Sequence, residues 1–141
     1  MTAQENAPRL RFRVDFGRRC SVGVGKIELL EGISRTGSLS QAAREMHMSY
    51  RRAWLLLEDM NSAFDCAVAN ASVGGRGGGG VVLTPFGLSL VIGYRQLECR
   101  LQPLAASCLK PLAGHMKAGR PGKGLKSTSI KRKSPQRASP Q

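Results

Sequence analysis

The sequence predicts a mainly α fold carrying a β-hairpin, an α+β class, and three observations predict it. Between Val24 and Phe64 apolar residues recur at three- and four-residue spacing in three blocks, punctuated by Gly37, Ser38 and Ser49. A glycine tract from Gly74 to Gly80 separates two short runs of strand character, which is the pattern of a hairpin with a long tip. Thr84-Pro85 then opens a fourth and longer block, with Thr as N-cap and Pro at the first helical position. The 141 residues fit one domain with flanking segments.

The first element is a strand. From Arg9 to Phe16 the side chains alternate, with Arg9, Arg11 and Arg13 on one face and Leu10, Phe12, Val14 and Phe16 on the other. Period two over this length is a half-buried strand, and its arginine row reads as a solvated face. A helix follows over Val24–Arg35, with Ile27, Leu30 and Ile33 on one stripe and Leu29 beside it, and Gly37 as its stop. Ser38 is placed to cap a second helix, Leu39–Met46, with Gln41 at the capping-box position. His47-Met48 makes a tight connection. Ser49 caps a third helix, Tyr50 to about Phe64, whose Ala53, Leu56, Leu57, Met60 and Phe64 share one side and whose Tyr50, Arg51, Trp54, Leu55 and Glu58 share the other.

Strands over Cys66–Ser72 and Val81–Leu83 form the hairpin. The last helix runs from Pro85 to about Gln102, where Pro103 ends or kinks it. Its Leu88, Val91, Ile92, Leu97 and Leu101 continue past the length that one small domain needs. That excess favours a partner helix from a second copy. Three helices, the last two joined by a tight turn, then a β-hairpin and a long helix, make a winged helix-turn-helix with a long C-terminal dimerisation helix. The expected boundaries are a flexible 1–8, a winged domain over 9–113 and a disordered basic tail over 114–141.

Charge narrows the function. The chain carries 22 Lys and Arg against 9 Asp and Glu, a net charge of +13. Residues 110–141 hold nine of the basic side chains and no acid. That tail has too few large apolar groups to offset the entropy of ordering, and it is suited to phosphate binding through counterion release. No apolar run reaches the 18 or so residues of a membrane span, and Met1–Pro8 has no signal-peptide core, so a cytoplasmic, nucleoid-associated protein is expected. Cys20, Cys66, Cys99 and Cys108 form no C-x-x-C pair, and His47 and His115 are the only histidines. Neither a metal site nor a cofactor is expected, and the cysteines read as reduced thiols. Gly75–Gly80 matches G-x-G-x-x-G, but a strand follows where the dinucleotide fingerprint requires a helix. A phosphate-binding P-loop fails because Val81 stands where Lys is needed. No nucleophile–base set or convergent carboxylate pair appears, so no enzyme is expected.

The helix-turn-helix order assigns roles to particular residues. The second helix crosses the phosphate backbone with its N-terminus, where Ser38, Ser40 and Gln41 can donate to phosphate. The third enters the major groove and presents Ser49, Tyr50, Arg51, Arg52 and, at the protein–DNA boundary, Trp54. Arg76 stands alone among the glycines of the wing tip, where no neighbouring side chain blocks approach. Bidentate Arg to guanine is the commonest specific contact.

At these residues the sequence resembles a known family. Gly37-Ser38-Leu39-Ser40-Gln41-Ala42-Ala43, Ser49-Tyr50-Arg51-Arg52-Ala53-Trp54, Glu58-Asp59-Met60-Asn61 and Gly74 through Thr84 look like the N-terminal DNA-binding domain of the ModE molybdate-dependent transcriptional regulators. The helix-turn-helix is similar to that of LysR-type regulators as well. The likeness covers roughly residues 10–105, and it implies a winged helix whose long last helix helps form a dimer. Full-length members carry C-terminal molybdate-binding domains; the chain after Gln102 is too short and too basic for one, so molybdate binding is not expected here. Leu55 stands on the outward face, where such domains usually have a polar residue, which implies a different base or backbone preference.

The expected function is therefore a sequence-specific DNA-binding transcriptional regulator of ModE/LysR-like type without its own ligand sensor, acting as a homodimer on double-stranded DNA. A two-fold dimer implies half-sites about one helical turn, roughly 34–36 Å, apart. Two alternatives are a nucleoid-type DNA binder of low sequence preference and a heterodimerisation partner that modulates a full-length regulator.

Overall fold

Two antiparallel β-hairpins and four helices build the chain, in a computed structural model that describes residues 6–72 and 80–117. The order is β1 (Arg13–Phe16), β2 (Cys20–Gly23), α1 (Val24–Thr36), α2 (Leu39–Glu45), α3 (Tyr50–Ala63), β3 (Ala69–Ser72), β4 (Gly80–Leu83) and α4 (Pro85–Ala113). This is the expected α+β winged helix with a long C-terminal helix.

Helix α1 is the centre of the core. Ile27, Leu29, Leu30 and Ile33 are fully buried, and Val22, Met60 and Val68 close over them from β2, α3 and the root of β3. Gly37 ends α1 in the left-handed region, at φ 68°, and its N–H donates to the Ile33 carbonyl at 2.8 Å. A residue with a Cβ pays a steric penalty there, so glycine fits the turn. α4 packs its first half on this core through Gly87 and Tyr94. The Tyr94 ring stacks on Phe12, and its hydroxyl donates to the Phe12 carbonyl at 2.6 Å. Arg95 on α4 bridges Glu31 of α1 and Glu98, and the Glu31 bond at 2.6 Å raises its pKa most.

Several expected boundaries move. The first strand is shorter than Arg9–Phe16 because its partner β2, which the sequence reading did not anticipate, pairs only as far as Arg13 with Gly23. β2 is four residues, Cys-Ser-Val-Gly, in which buried Cys20 and Val22 alternate with Ser21 and Gly23 over too short a run to stand out in the sequence. The alternation still holds outside the ladder: Leu10 and Phe12 turn inward while Arg9, Arg11 and Arg13 stay exposed. That segment is clasped by one side chain, since Gln102 donates to the Pro8 carbonyl and accepts from the Leu10 N–H, both at 2.8 Å. Pro8, the last residue of the expected 1–8 segment, is thus held by a side chain of α4.

The largest correction concerns α4, which passes through Pro103 and continues to Ala113 instead of stopping near Gln102. Proline removes one backbone donor and fixes φ at a helical value. Pro103 can therefore act as the first residue of a new helical stretch on the same axis. Residues 114–117, expected to open the tail, close the helix: His115 N–H donates to Leu112 and Met116 N–H to Ala113. The third helix ends at Ala63 rather than Phe64, whose ring instead packs edge-on against Phe16 and Phe86. The second ends at Glu45, the strand expected from Cys66 begins at Ala69, and the returning strand begins at Gly80. Residues 118–141 and 1–5 lie outside the described residues.

All four cysteines are free thiols; Cys20 is buried, and burial pushes its pKa up, while Cys66, Cys99 and Cys108 are exposed. No helix among the described residues is long and apolar enough to cross a membrane.

Gly87 sets a sharp steric test. A Cβ there would overlap the Val68 carbonyl, a backbone group held in place from both sides. Helix propensity alone would favour Gly87→Ala by about 0.8–1.0 kcal/mol. Overlap with a fixed carbonyl outweighs that gain, and a net loss of about 1–3 kcal/mol is expected. Urea unfolding followed by circular dichroism reads it as a lower midpoint at unchanged slope.

Candidate nucleic-acid interface

The turn between α2 and α3 is built by backbone bonds. Met48 N–H reaches back to the Ala43 carbonyl and His47 N–H to Arg44, both at 3.0 Å. His47 adopts φ 54°, a conformation His tolerates better than most residues. Its role is therefore in the turn itself. Ser38 caps α2 by accepting from Gln41 N–H at 3.2 Å, and Ser49 caps α3 by accepting from Arg52 N–H at 3.1 Å. The reciprocal half of the capping box is absent: the Ser38 N–H donates to the Thr36 hydroxyl instead, at 3.3 Å. The Gln41 side chain is left exposed beside Ser40 at the start of α2.

α3 buries Ala53, Leu57 and Met60 and turns Tyr50, Arg51, Arg52, Trp54 and Leu55 to solvent. Neither Arg51 nor Arg52 forms an ion pair among the described residues. Two guanidinium groups, a phenol and an indole therefore stand together on the first two turns of one helix.

The wing is fixed to this helix by a side chain that sequence reasoning missed. Asn61 Oδ1 accepts from Val68 N–H at 2.8 Å and from Ala69 N–H at 3.4 Å, while its Nδ2 donates to the Ala69 carbonyl at 3.3 Å. From the other side Thr84, besides capping α4, donates its hydroxyl to the Ala67 carbonyl and its N–H to Val68. Val81 N–H bonds the Gly37 carbonyl at 3.0 Å, so β4 also touches the turn that leads into α2. Asn61 lies within the Glu58–Asn61 segment singled out by resemblance. An Asn near a helix end ahead of a loop was its only signal.

These ties bring the three parts of the site to one groove of about 280 Å³, lined by Leu39 of α2, Tyr50, Trp54, Glu58 and Asn61 of α3, and Asn70, Ala71, Gly80 and Val81 of the wing. Of the expected site residues, Tyr50 and Trp54 of α3 line this groove against the wing strands, and Ser38, Ser40, Gln41, Ser49, Arg51 and Arg52 do not. Val82 adds an exposed apolar side chain on β4. Arg76, at the expected wing tip, lies outside the described residues.

A family model described as bacterial regulatory helix-turn-helix protein, lysR family, matches residues 25–88, from the first turn of α1 to the first turn of α4. Residues 25–88 thus resemble a LysR-type helix-turn-helix domain. The chain is also similar to curated proteins, the first of them named for molybdenum. It is 42% identical over 91 residues to the molybdenum-pterin-binding protein MopB of Rhodobacter capsulatus, covering 64% of this chain and 34% of that protein. It is 37% identical over 102 residues to the molybdenum transport protein ModE of Azotobacter vinelandii, covering 72% and 37%. With the DNA-binding transcriptional dual regulator ModE of Escherichia coli K12 it shares 39% over 66 residues, covering 47% and 25%. The chain spans about a third of the length of the first two relatives. The description of the family and the name of the Escherichia coli relative are those of regulators, not of enzymes.

Asn61 gives this interface its test. Asn61→Ala removes its bonds to the wing root and leaves Val68 N–H without its partner, a loss of about 1–3 kcal/mol. Hydrogen exchange is expected to accelerate at Val68 and Ala69 while the middle of α3 keeps its protection. Unchanged exchange at both amides would show that the wing holds without Asn61.

Proposed function

We propose that this chain binds double-stranded DNA in a sequence-specific manner and regulates transcription as a two-fold dimer. The observation that carries the reading is the single groove onto which the starts of α2 and α3 and the wing converge. A helix fits the major groove of B-DNA, and the N-terminal residues of a recognition helix reach base edges. In this reading Arg51 and Arg52 contact base edges and phosphates, and Ser49 and Tyr50 support them at the helix start. Trp54 covers the boundary towards the wing. Ser38, Ser40 and Gln41 fix the backbone beside α2, and Arg76 reaches the flanking duplex from the wing. The basic side chains of residues 110–141 add salt-dependent affinity that carries no sequence information. The name of the Escherichia coli relative supports DNA as the partner. The reading assigns DNA contact, and no molybdate site, to these 141 residues, and it places the protein at the chromosome in the cytoplasm.

The dimer reading is supported by the spacing along α4. Gly87, Leu90 and Tyr94 face the chain's own core, and Leu97, Leu101, Leu104 and Cys108 extend the same spacing beyond it. Leu104 is 59% exposed, and Leu97 and Leu112 are exposed as well. A spacing of alternating three and four residues is the seam of a helix pair. The partner is a second copy of α4.

Two measurements test this. Arg51→Ala is expected to cost about 1–3 kcal/mol on a selected palindromic duplex and less on a scrambled one, read by fluorescence anisotropy across a salt series. Equal losses on both duplexes would remove the base-reading role, and a wild-type preference near one would favour the low-specificity nucleoid-type binder. Light scattering at micromolar concentration should give the mass of a dimer, and Leu104→Asp should give that of a monomer. A monomeric wild type would overturn the α4 pairing.

A further inference from the structure

The side chain on the first two turns of α3 that points most directly away from the core is an apolar one. At about 100° per residue, Ala53, Leu57 and Met60 mark the buried direction, and Leu55 lies within roughly 15° of its opposite. Arg51 stands one turn earlier on the same ridge, and Glu58 one turn later. Leu55 is 49% exposed. A lone exposed leucine on an arbitrary surface means little. This one occupies the centre line of the face that the proposed function sends into the major groove, between charged residues.

Leucine can neither hydrogen-bond a base edge nor neutralise a phosphate. The major-groove edges of the four bases offer hydrogen-bond donors and acceptors, and a single apolar group, the C5-methyl of thymine. Packed against a polar edge, Leu55 would strip water from that edge and return no hydrogen bond, which is unfavourable. Packed against a methyl, it removes apolar surface of both partners from water. Resting on the DNA-binding reading above, we infer that Leu55 is a specificity-determining residue that reads a thymine methyl, in the half-site, next to the base contacted by Arg51. Because the major groove lets a methyl be told from its absence at an otherwise identical edge, this contact discriminates thymine from uracil as well as from cytosine. Exposed Trp54 flanks the ridge and extends the apolar surface on the side of the wing.

The test uses the full chain and the palindromic duplex recovered by in-vitro selection. Thymines are replaced one at a time by deoxyuridine, which deletes the methyl and keeps every hydrogen-bonding group. Wild-type protein should lose about fourfold in affinity at one thymine position per half-site, the size of one methyl-sized group at about 0.8 kcal/mol. Leu55→Ala should bind the thymine duplex more weakly and show no thymine–uracil difference at that position, while differences elsewhere stay as in the wild type. Leu55→Met, which keeps an apolar side chain of similar volume, should retain the difference. Circular dichroism of both variants checks that α3 is intact; an exposed position predicts that it is. If no position shows a Leu55-dependent methyl effect while a preferred sequence is still recovered, the inference is overturned and the DNA-binding reading stands. If selection returns no preferred sequence, the base-reading role of α3 falls and the inference falls with it.

Discussion

Three backbone units, Ala67 to Ala69, carry the geometry on which the interface depends. Asn61 of α3 grips them from one side and Thr84 at the head of α4 from the other. Gly87 lets the first turn of α4 press directly on the Val68 carbonyl. A two-stranded hairpin alone in water is marginal, so the wing has no orientation of its own to offer. It acquires one because its root is fixed to α3 and to the head of α4 by the same few bonds. Any partner that engages α3 therefore meets the wing at a set angle. Any displacement of α4 is also transmitted to the wing root, and this couples the helix proposed for dimerisation to the surface proposed for DNA.

α1 plays the complementary part. It contributes four fully buried side chains and little surface to the site, yet its C-terminal turn leads into the α2 cap, and the Gly37 carbonyl holds β4. The same left-handed glycine that ends the helix thus offers the acceptor for the wing strand. One conformational requirement aligns α2 and the wing, and a residue with a Cβ at position 37 would strain both.

What the sequence made legible follows from the range of the interactions involved. Capping by Ser38, Ser49 and Thr84 is decided within three residues, and each cap is found as its residue type implies. The apolar periods of α1 and α3 are similarly local. β2 was not legible, because the alternation in Cys20–Gly23 spans only four residues and the strand is recognised through its pairing with β1. Asn61 was missed for a related reason: its partners lie seven and eight residues away across a turn whose path the sequence does not specify. Pro103 misled because proline's cost inside a helix is one backbone bond and a steric clash at the preceding turn. A long helix with an otherwise favourable sequence on both sides can absorb it. Among the expected site residues, Tyr50 and Trp54 line the groove only because β3 and β4 supply its other wall, whereas Ser38, Ser40, Gln41, Ser49, Arg51 and Arg52 stand outside that lining.

The distribution of charge and apolar surface separates affinity from selectivity in physical terms. Residues 110–141 carry +9, and the remaining 109 residues only +4. Phosphate attraction is long-ranged, insensitive to base sequence and screened within about 10 Å at ordinary ionic strength. Selectivity requires groups held at fixed positions, and those proposed for it are on α3, where an arginine and a leucine one turn apart share a ridge. The two have opposite requirements. A guanidinium gains from a guanine edge and loses little if it meets a phosphate instead. A leucine in the groove gains only from a methyl and loses wherever a polar edge is desolvated against it. Such a residue discriminates mainly by rejecting wrong sequences. A strongly basic chain needs that, because its charge alone would bind every duplex it meets.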